Sequence, residues 1–524
     1  MKIRFLLAFL FVSMVAKAQT VEVSGLQSGI WSADTILVTG NVFVEDTLTI
    51  EAGTTVLFKG YYGISVNKGS IKALGTESDS IVFTVADTTG FHLFNFGRGS
   101  WNGIRLDRAL EAQFDYCKFQ FAKAATDDDQ DGGALWIRHC DKVEIGHSRL
   151  HSNRSREHGG ALFAEYATVN MHDCAVTHNA VHTELDSMYY MYGGALRFKN
   201  CDLTLTDTDF HYNDGAKCIG GALCMDSTAV RMDRCVFDHN HGMNGGAFYL
   251  FDCNDKQCTI ANCLITDNVS EHFAGGFALR NASPEISNVT VVNNRSIGVN
   301  VGGIFFYQES SPNLYNCIVW GNHSHEEMPP VQMWLWVYEP GAPSFYNCLS
   351  QGGLDLITGP EFIKINENMM TGDPLFADAE NGDFRLSPES PCINAGSPRT
   401  SQEVLEGLDL DHSWRVCGAA IDLGAYEYTA AGFHENAEVS SPLVVIGNPL
   451  NDNSFVEFSL SCESRVSAKV YSLNGTLVWS KDFGMLSAGN QRLEMVELAG
   501  KLPHGVYGVE VATREGRFFG KVVK

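Results

Sequence analysis

The chain has 524 residues, of which 44% are hydrophobic, and a formal net charge of −25. That apolar content excludes a largely disordered chain. The acidic balance excludes nucleic acid and anionic membrane surfaces as partners, because binding phosphate needs a basic footprint.

The N-terminus, MKIRFLLAFLFVSMVAKAQT, has a basic start, an apolar run from Phe5 to Val15, and small residues at Ala16 and Ala18. This pattern predicts a secretory signal over residues 1–18, cut before Gln19. No later stretch approaches the roughly 20 apolar residues that a spanning helix needs. The expectation is a secreted chain, held at a cell surface by something other than a transmembrane segment.

Residues 38–84 read as a train of short alternating strands broken by glycine turns, and SWNGIRL (100–106) continues it. A repeat then takes over. Gly-Gly pairs stand at 132/133, 159/160, 193/194, 220/221, 245/246, 275/276 and 302/303, spaced 27, 34, 27, 25, 30 and 27 residues apart. Asparagines keep the same beat at Asn153, Asn179, Asn213, Asn240, Asn268, Asn294 and Asn322. Within one period, as in ALFAEYATVNMHDCAVTHN (161–179), apolar and polar residues alternate in short runs with no helical stripe. A propeller blade needs about 40 residues or more, whereas about 27 suits one rung of a solenoid.

The predicted fold class is therefore all-β: a right-handed parallel β-helix (a pectate-lyase-like solenoid) over 19–371, followed by a small C-terminal β-sandwich. In-register stacking lets each asparagine donate its amide to the asparagine one rung on. The residues three before them (Leu150, Val176, Phe210, Phe237, Ile265, Val291 and Val319) fill the neighbouring column. The glycine pairs mark close backbone approach.

Seven of the fifteen cysteines fall at two repeat positions. One is Ser148, Cys174, Thr208, Cys235, Cys263, Val289 and Cys317. The other is Cys140, Ala167, Cys201, Thr228, Cys253, Ser283 and Ser310. Alternation with small residues predicts free thiols acting as compact filler. Cys253 with Cys258 and Cys392 with Cys417 are the candidate pairs for bridges.

Residues 372–428 break the period and are assigned as a closing module, since an open β-helix end is an unpaired edge. Residues 429–441 read as a linker. Residues 442–524 hold longer alternating strands with a hairpin signal at Asn474-Gly475, the expected sandwich.

Three regions carry resemblances. The Phe-x-x-Asn and Gly-Gly-Ala alternation at 132–322 resembles the repeats of chlamydial polymorphic outer-membrane proteins, which are β-helical surface adhesins; Phe210 and Phe237 give the strict Phe form. The stretch GDPLFADAENGDFRLSPESPCINAGSP…DLGAYEY resembles the closing module of choice-of-anchor surface β-helix proteins. The C-terminus, with Asn448-Pro449, YSLNG, GVYGVEV and the basic end GKVVK, resembles the type IX secretion sorting domain of Bacteroidetes. The last resemblance implies the type IX machinery and surface lipopolysaccharide as partners, and attachment at the outer membrane.

Four groups of residues are candidates for chemistry. TDDDQDGG places Asp127, Asp129 and Asp131 around a turn with calcium-loop spacing, although Arg138 stands where a bidentate Glu belongs; calcium is thus the candidate cofactor. His151, His178, His211, His239 and His241 gather beside the asparagines as a metal or proton-transfer patch. HTELDSMYYMY (182–192) carries Tyr189, Tyr190 and Tyr192 on a loop that departs from the repeat, and QMWLWVY (332–338) places Trp334, Trp336 and Tyr338 on one face of a strand. Exposed, either aromatic group stacks on sugar rings. Two functions follow. One is adhesion or binding of a polysaccharide or cell-surface glycan without catalysis. The other is a polysaccharide lyase or glycoside hydrolase on a β-helix face, which needs paired carboxylates or an acid cluster with a basic residue. No such set recurs along the repeats, and this favours binding.

Overall fold

The computed structural model describes residues 19–93, 97–126, 130–181, 191–298, 301–325 and 330–428. Of the C-terminal domain it describes residues 444–446, 454–460, 464–472, 477–494, 502, 506–513 and 516–523. The chain is a right-handed parallel β-helix followed by an antiparallel β-sandwich. It divides into two compact units, residues 1–189 with 195–197, and residues 190–194 with 198–524.

In the first unit a complete rung has four strands: Leu135–Arg138, Val143–Gly146, Arg149–His151 and Arg154–Ser155. Each pairs in parallel with its counterpart one rung on, for example Leu135 with Leu162, Val143 with Val169 and Leu150 with Val176. Four parallel ladders result. Side chains alternate across each strand, so Leu135, Ile137, Val143, Ile145 and Leu150 line the buried interior. The corners are made by single residues in the left-handed conformation. Arg108, His139 and Tyr166 follow the first strands, Tyr116, His147 and Asp173 the second, and Phe121, Ser152 and His178 the third. Each non-glycine residue there costs about 1–2 kcal/mol, which the in-register pairing on both sides offsets.

The second unit repeats the plan with strands such as Leu223–Asp226, Ala229–Asp233, Val236–Asp238 and His241–Asn244. Here the asparagine ladder is continuous. Asn213, Asn240, Asn268 and Asn294 each donate their amide to the next member, ending on Asn322 and then Gln332, at 2.9–3.0 Å. All are buried. The column beside them is buried too, with the Phe210 and Phe237 rings stacked at 4.5 Å.

The glycine pairs stand where successive rungs touch. A Cβ on Gly246 would lie 2.2 Å from the Gly275 carbonyl oxygen. The frame slips by one residue at 275/276. The left-handed position held by Gly245 in one rung falls to Ala274 (φ 55°) in the next, and Phe248 pairs with Phe277. The second small-residue column therefore runs Cys253, Ala282, Ser310, with Ala282 buried in place of the expected Ser283.

The fourteen described cysteines are all free, Cys253, Cys258, Cys392 and Cys417 among them. Those in the first column point a thiol back at the strand they follow. Cys235 reaches the carbonyls of Asp233 and Leu205, and Thr208 donates in the same way to Thr206. The corner takes a compact side chain, and where that chain is Cys235 or Thr208 its donor also meets a backbone carbonyl; Val289 fills the same place without one.

Residues 373–428 differ from the expected end cap. They run as a strap along the outer side of the third ladder. Phe384 packs on Leu264 and Val292, Leu386, Cys392 and Leu423 pack on Ile318 and Leu349, and Ile421 and Val404 pack on Ala261. The corner asparagines fasten the strap. Asn288 donates to the Asp422 carbonyl, Asn316 bonds Ser397 in both directions, and Asn347 donates to Ala395. The strap has its own buried ion pair, Arg415 with Glu427.

The C-terminal strands form a sandwich. Val444–Ile446, Phe455–Leu460 and Gly489–Glu494 make one antiparallel sheet. Ser464–Ser472, Leu477–Leu486, Val506–Thr513 and Gly516–Val523 make the other. Val456 and Phe458 meet Val466, Val470, Val509 and Val511 between them. Tyr471 pairs with Leu477 in antiparallel sense, flanking Asn474-Gly475, which lie outside the described residues.

Candidate functional site

The outer face of the first ladder in the second unit is aromatic. Along Met333–Val337, the residues Met333, Leu335 and Val337 point inward and are buried. Strand alternation therefore sends Trp334 and Trp336 outward. Parallel register then builds two outer rows. One is Cys224, Tyr249, Ala278, Phe305 and Trp334; the other is Asp226, Phe251, Arg280, Tyr307 and Trp336.

These rings form one contiguous platform. Trp334 and Trp336 lie 5.7 Å apart at 11°, Phe305 and Tyr307 5.6 Å apart at 16°, and Phe273 stacks on Phe305 at 5.0 Å. Tyr307 meets Trp336 and Tyr338 edge-on. Tyr192 stacks on Phe251 at 5.7 Å. The platform is buried at its base, at Tyr249, Phe251 and Phe305, and open at its rim, where Trp336 and Tyr338 are 45% and 47% exposed.

Of the aromatic residues expected from sequence, the structure brings Tyr192, Trp334 and Trp336 onto this face. Tyr189 and Tyr190 lie outside the described residues. Sequence reasoning missed Tyr249, Phe251, Phe273, Phe305 and Tyr307. Their signal was present as aromatic residues at outward repeat positions, once the register across rungs was known.

Polar groups border the platform. The Arg280 guanidinium sits 4.7 Å over the Phe251 ring, and its Nη2 donates to Asp252 Oδ2 at 2.9 Å. Asn281 donates to the other Asp252 oxygen at 2.9 Å. Burial weakens the guanidinium, yet the Asp252 carboxylate beside it holds it above its ordinary value. Burial also pushes the Tyr249 hydroxyl up. Neither group is poised to take a proton near neutral pH.

The histidines divide. In the first unit His151 bonds Thr177 and lies edge-on to His178. In the second unit each of the other three has a carboxylate. His211 faces Asp238 at 3.2 Å and Asp209 at 3.9 Å, His239 bonds Asp238, and His241 bonds Glu271 at 2.8 Å. His211, Asp238 and His239 open into a cleft of about 630 Å³ beside Glu380 and Phe384 of the strap. Bonding to Asp209 and Asp238 outweighs burial and raises His211 to about 9, so its imidazole is a held cation rather than a base.

Of the expected calcium loop, Asp127 and Asp129 lie outside the described residues. Asp131 lies with Glu157 and His158, ligand atoms within 4.8 Å of one another. The histidine makes this set a mixed one, unlike the all-oxygen cage that calcium takes. Arg138 lies on the neighbouring strand and reaches Glu165 at 3.5 Å.

Residues 102–287 match the family model described as a right handed beta helix region. No curated protein sequence matches the chain. Among solved structures it is similar to the crystal structure of the periplasmic alginate epimerase AlgG, at 12% identity and a TM-score of 0.33, over 66% of this chain and 78% of that one. A single and a double mutant of the same epimerase align at 10% identity with TM-scores of 0.27 and 0.22, over 66% of this chain and 79% of each.

Proposed function

We propose that this is an exported, surface-held β-helix protein that binds glycans on the aromatic face of its first ladder. The observation that carries this reading is the pair of outward rows ending in Phe305–Trp334 and Tyr307–Trp336, with Tyr338 beside them, open at the rim and packed at the base. A sugar ring presents a flat array of C–H groups, and an indole or phenol face preset by its neighbours binds it with little loss of rotamer freedom. Arg280, Asp252 and Asn281 supply the directional hydrogen bonds that such sites use for orientation.

The charged groups beside the platform support binding over turnover. Arg280 and Asp252 neutralise each other, and an ion-paired guanidinium does not abstract a proton. The route to the surface rests on the signal-like residues 1–18 and on the C-terminal β-sandwich, read as a type IX sorting domain with that machinery and lipopolysaccharide as partners. Among the described residues no helix is long and apolar enough to cross a membrane.

The test is a glycan array followed by calorimetry on the best oligosaccharide, with the chain, its Trp336→Ala variant and its Trp336→Ala/Tyr338→Ala double variant. Binding that weakens about tenfold per ring removed supports the proposal, since about 1.4 kcal/mol per stacked ring is a factor of ten. New reducing ends or unsaturated products in the same mixtures would convert the reading to that of a lyase or hydrolase. Affinity unchanged in the double variant would sink it.

A further inference from the structure

We propose that the corner between the second and third ladders of the first unit is a binding site for a divalent transition-metal ion, ligated by His147, His172 and Asp173 and oriented by Asp115. The site is separate from the aromatic face and independent of the glycan reading.

Register assembles it. Asp115, Gly146 and His172 are successive members of the second ladder, paired Asp115 with Gly146 and Gly146 with His172. Their side chains therefore stand on one face, and the middle member has none. A Cβ on Gly146 would lie 2.6–2.7 Å from the His172 imidazole and 2.9 Å from Asp115 Oδ1. The missing side chain thus opens a gap over which the carboxylate and the imidazole lean from either side. Gly146 has no positive φ to explain its presence, so the space it leaves is its evident use. His147 and Asp173, at the left-handed corner positions, close the remaining side.

The donor atoms are arranged as a metal site arranges them. His147 Nδ1 lies 2.8 Å from Asp115 Oδ1, and its Nε2 lies 3.7 Å from Asp173 Oδ2. Donation of Nδ1–H to Asp115 fixes the tautomer and leaves the Nε2 lone pair facing the Asp173 carboxylate. Two acceptors at that distance repel, and either a second ring proton or a bound metal cation between them relieves it. A carboxylate that holds the remote nitrogen of a ligating histidine is the usual partner of such a ligand. His172 Nδ1 approaches the same Asp173 oxygen at 2.9 Å. One ligand atom each from His147, His172 and Asp173 fall within 4.8 Å of one another. Ligands about 2.0–2.1 Å from a tetrahedral ion lie roughly 3.4 Å apart, so small side-chain rotations complete the set. Tyr116 stacks on His147 at 4.4 Å and 4°, restraining the ring.

Two imidazoles and one carboxylate select zinc, cobalt, nickel, copper or iron(II) over calcium or magnesium. The three protein ligands leave a position open to water or to an anionic group of a bound partner. At the same repeat corner in the second unit, Asn288, Asn316 and Asn347 bind the strap. In the first unit that corner carries histidine and aspartate instead.

Cobalt(II) is the probe, since its visible absorption reports low-coordinate nitrogen and oxygen ligation. The purified chain is expected to take up one equivalent with such a band, displaced by zinc. Gly146→Val fills the gap, and His172→Ala removes a ligand; each should abolish the band while circular dichroism is unchanged. Asp115→Asn should weaken binding about 10–100-fold. His147→Asn keeps a residue that tolerates the left-handed corner, so its loss of binding reports ligation rather than misfolding. No band at millimolar cobalt, or a band that survives His172→Ala and moves with Glu157→Gln at the Asp131, Glu157 and His158 group, would overturn the assignment.

Discussion

Asn240 is tied to Asn268 by two hydrogen bonds to a single atom. Oδ1 of Asn268 accepts both the side-chain amide and the backbone N–H of Asn240, each at 2.9 Å. Asn240 also donates to the Phe210 carbonyl at 2.8 Å. One side chain thus serves the rung behind and the rung ahead, inside a fully buried corner. Asn268→Ala leaves the Asn240 donors without their acceptor, at a cost of about 1–3 kcal/mol for each buried group left unpaired. The expected result is a drop in the denaturant midpoint of the second unit. Asn268→Asp tests the role of the amide, because a carboxylate accepts from Asn240 but cannot donate onward to Asn294; it should destabilise as well.

Glycines in this chain separate by what a Cβ would meet. Gly246→Ala puts a methyl 2.2 Å from the Gly275 carbonyl, against backbone that cannot move without breaking a ladder. Overpacking of this kind costs well above the typical 1–3 kcal/mol, and the variant is expected to be insoluble or to melt far lower. Gly382 has φ 80° with nothing within 4 Å of its Cβ position. Gly382→Ala should lose only about 1 kcal/mol, the left-handed penalty alone. Comparable melting temperatures for the two would contradict the packing argument.

The rungs were legible because every one repeats the same interior. The asparagine beat, the hydrophobic column and the small-residue column each recur, so a single reading was tested many times over. The errors came where repetition fails. The Gly-Gly pair at 275/276 looks in phase, yet Ala274 takes the left-handed position and shifts Ser283 out of its column in favour of Ala282. The strap lies along the side and not over the end because its partners, Asn288, Asn316 and Asn347, form a second asparagine series at another corner. That series stands just before the last four members of the column (Asn262-Cys263, Asn288-Val289, Asn316-Cys317, Asn347-Cys348) and is visible in the sequence. The outward aromatic rows and the Asp115–Gly146–His172 stack were not available. They depend on which residues of different rungs share a register, and a one-residue slip would invert each assignment.

Buried thiols such as Cys117 and Cys174 should be chemically silent. Burial pushes the Cys174 thiol up to about 12 and the Cys117 thiol well above its ordinary value, so at these two sites the reactive thiolate is scarce and screened from solvent. A thiol reagent at neutral pH is expected to label almost nothing in the native chain and to label the thiols once guanidinium unfolds it. Rapid native labelling would mean that the rungs open locally or that the columns are less closed than described.

His211 makes stability depend on pH in a stated direction. Its folded value, about 9, lies above the ordinary imidazole range, held there by Asp209 and Asp238. Its contribution is fully present below about 6.5 and is lost as pH rises through about 9. With the side chain 31% exposed, solvent screening leaves on the order of 1–2 kcal/mol. Chemical denaturation at pH 6.5 and pH 9.5 should therefore show a loss that His211→Asn removes. A loss of equal size in that variant would assign the effect to other groups.

The aromatic platform predicts a separation of stability from binding along one face. Phe251 is buried beneath Arg280 and against Tyr192 and Tyr249. Removing its ring by Phe251→Ala should cost about 3–5 kcal/mol, as for any large core side chain. Trp336 lies at the rim with nearly half its surface in water, so Trp336→Ala removes far less buried area and should change stability by well under that amount. If the face is a binding surface, the ranking reverses for ligand affinity. Trp336→Ala then loses about tenfold while remaining folded. A conservative Phe251→Leu, which restores most of the buried volume, keeps both. If Trp336→Ala instead costs as much stability as Phe251→Ala and leaves affinity untouched, the rim tryptophan is packing and not recognition. Denaturation midpoints and calorimetric affinities measured on the same three variants decide between the two.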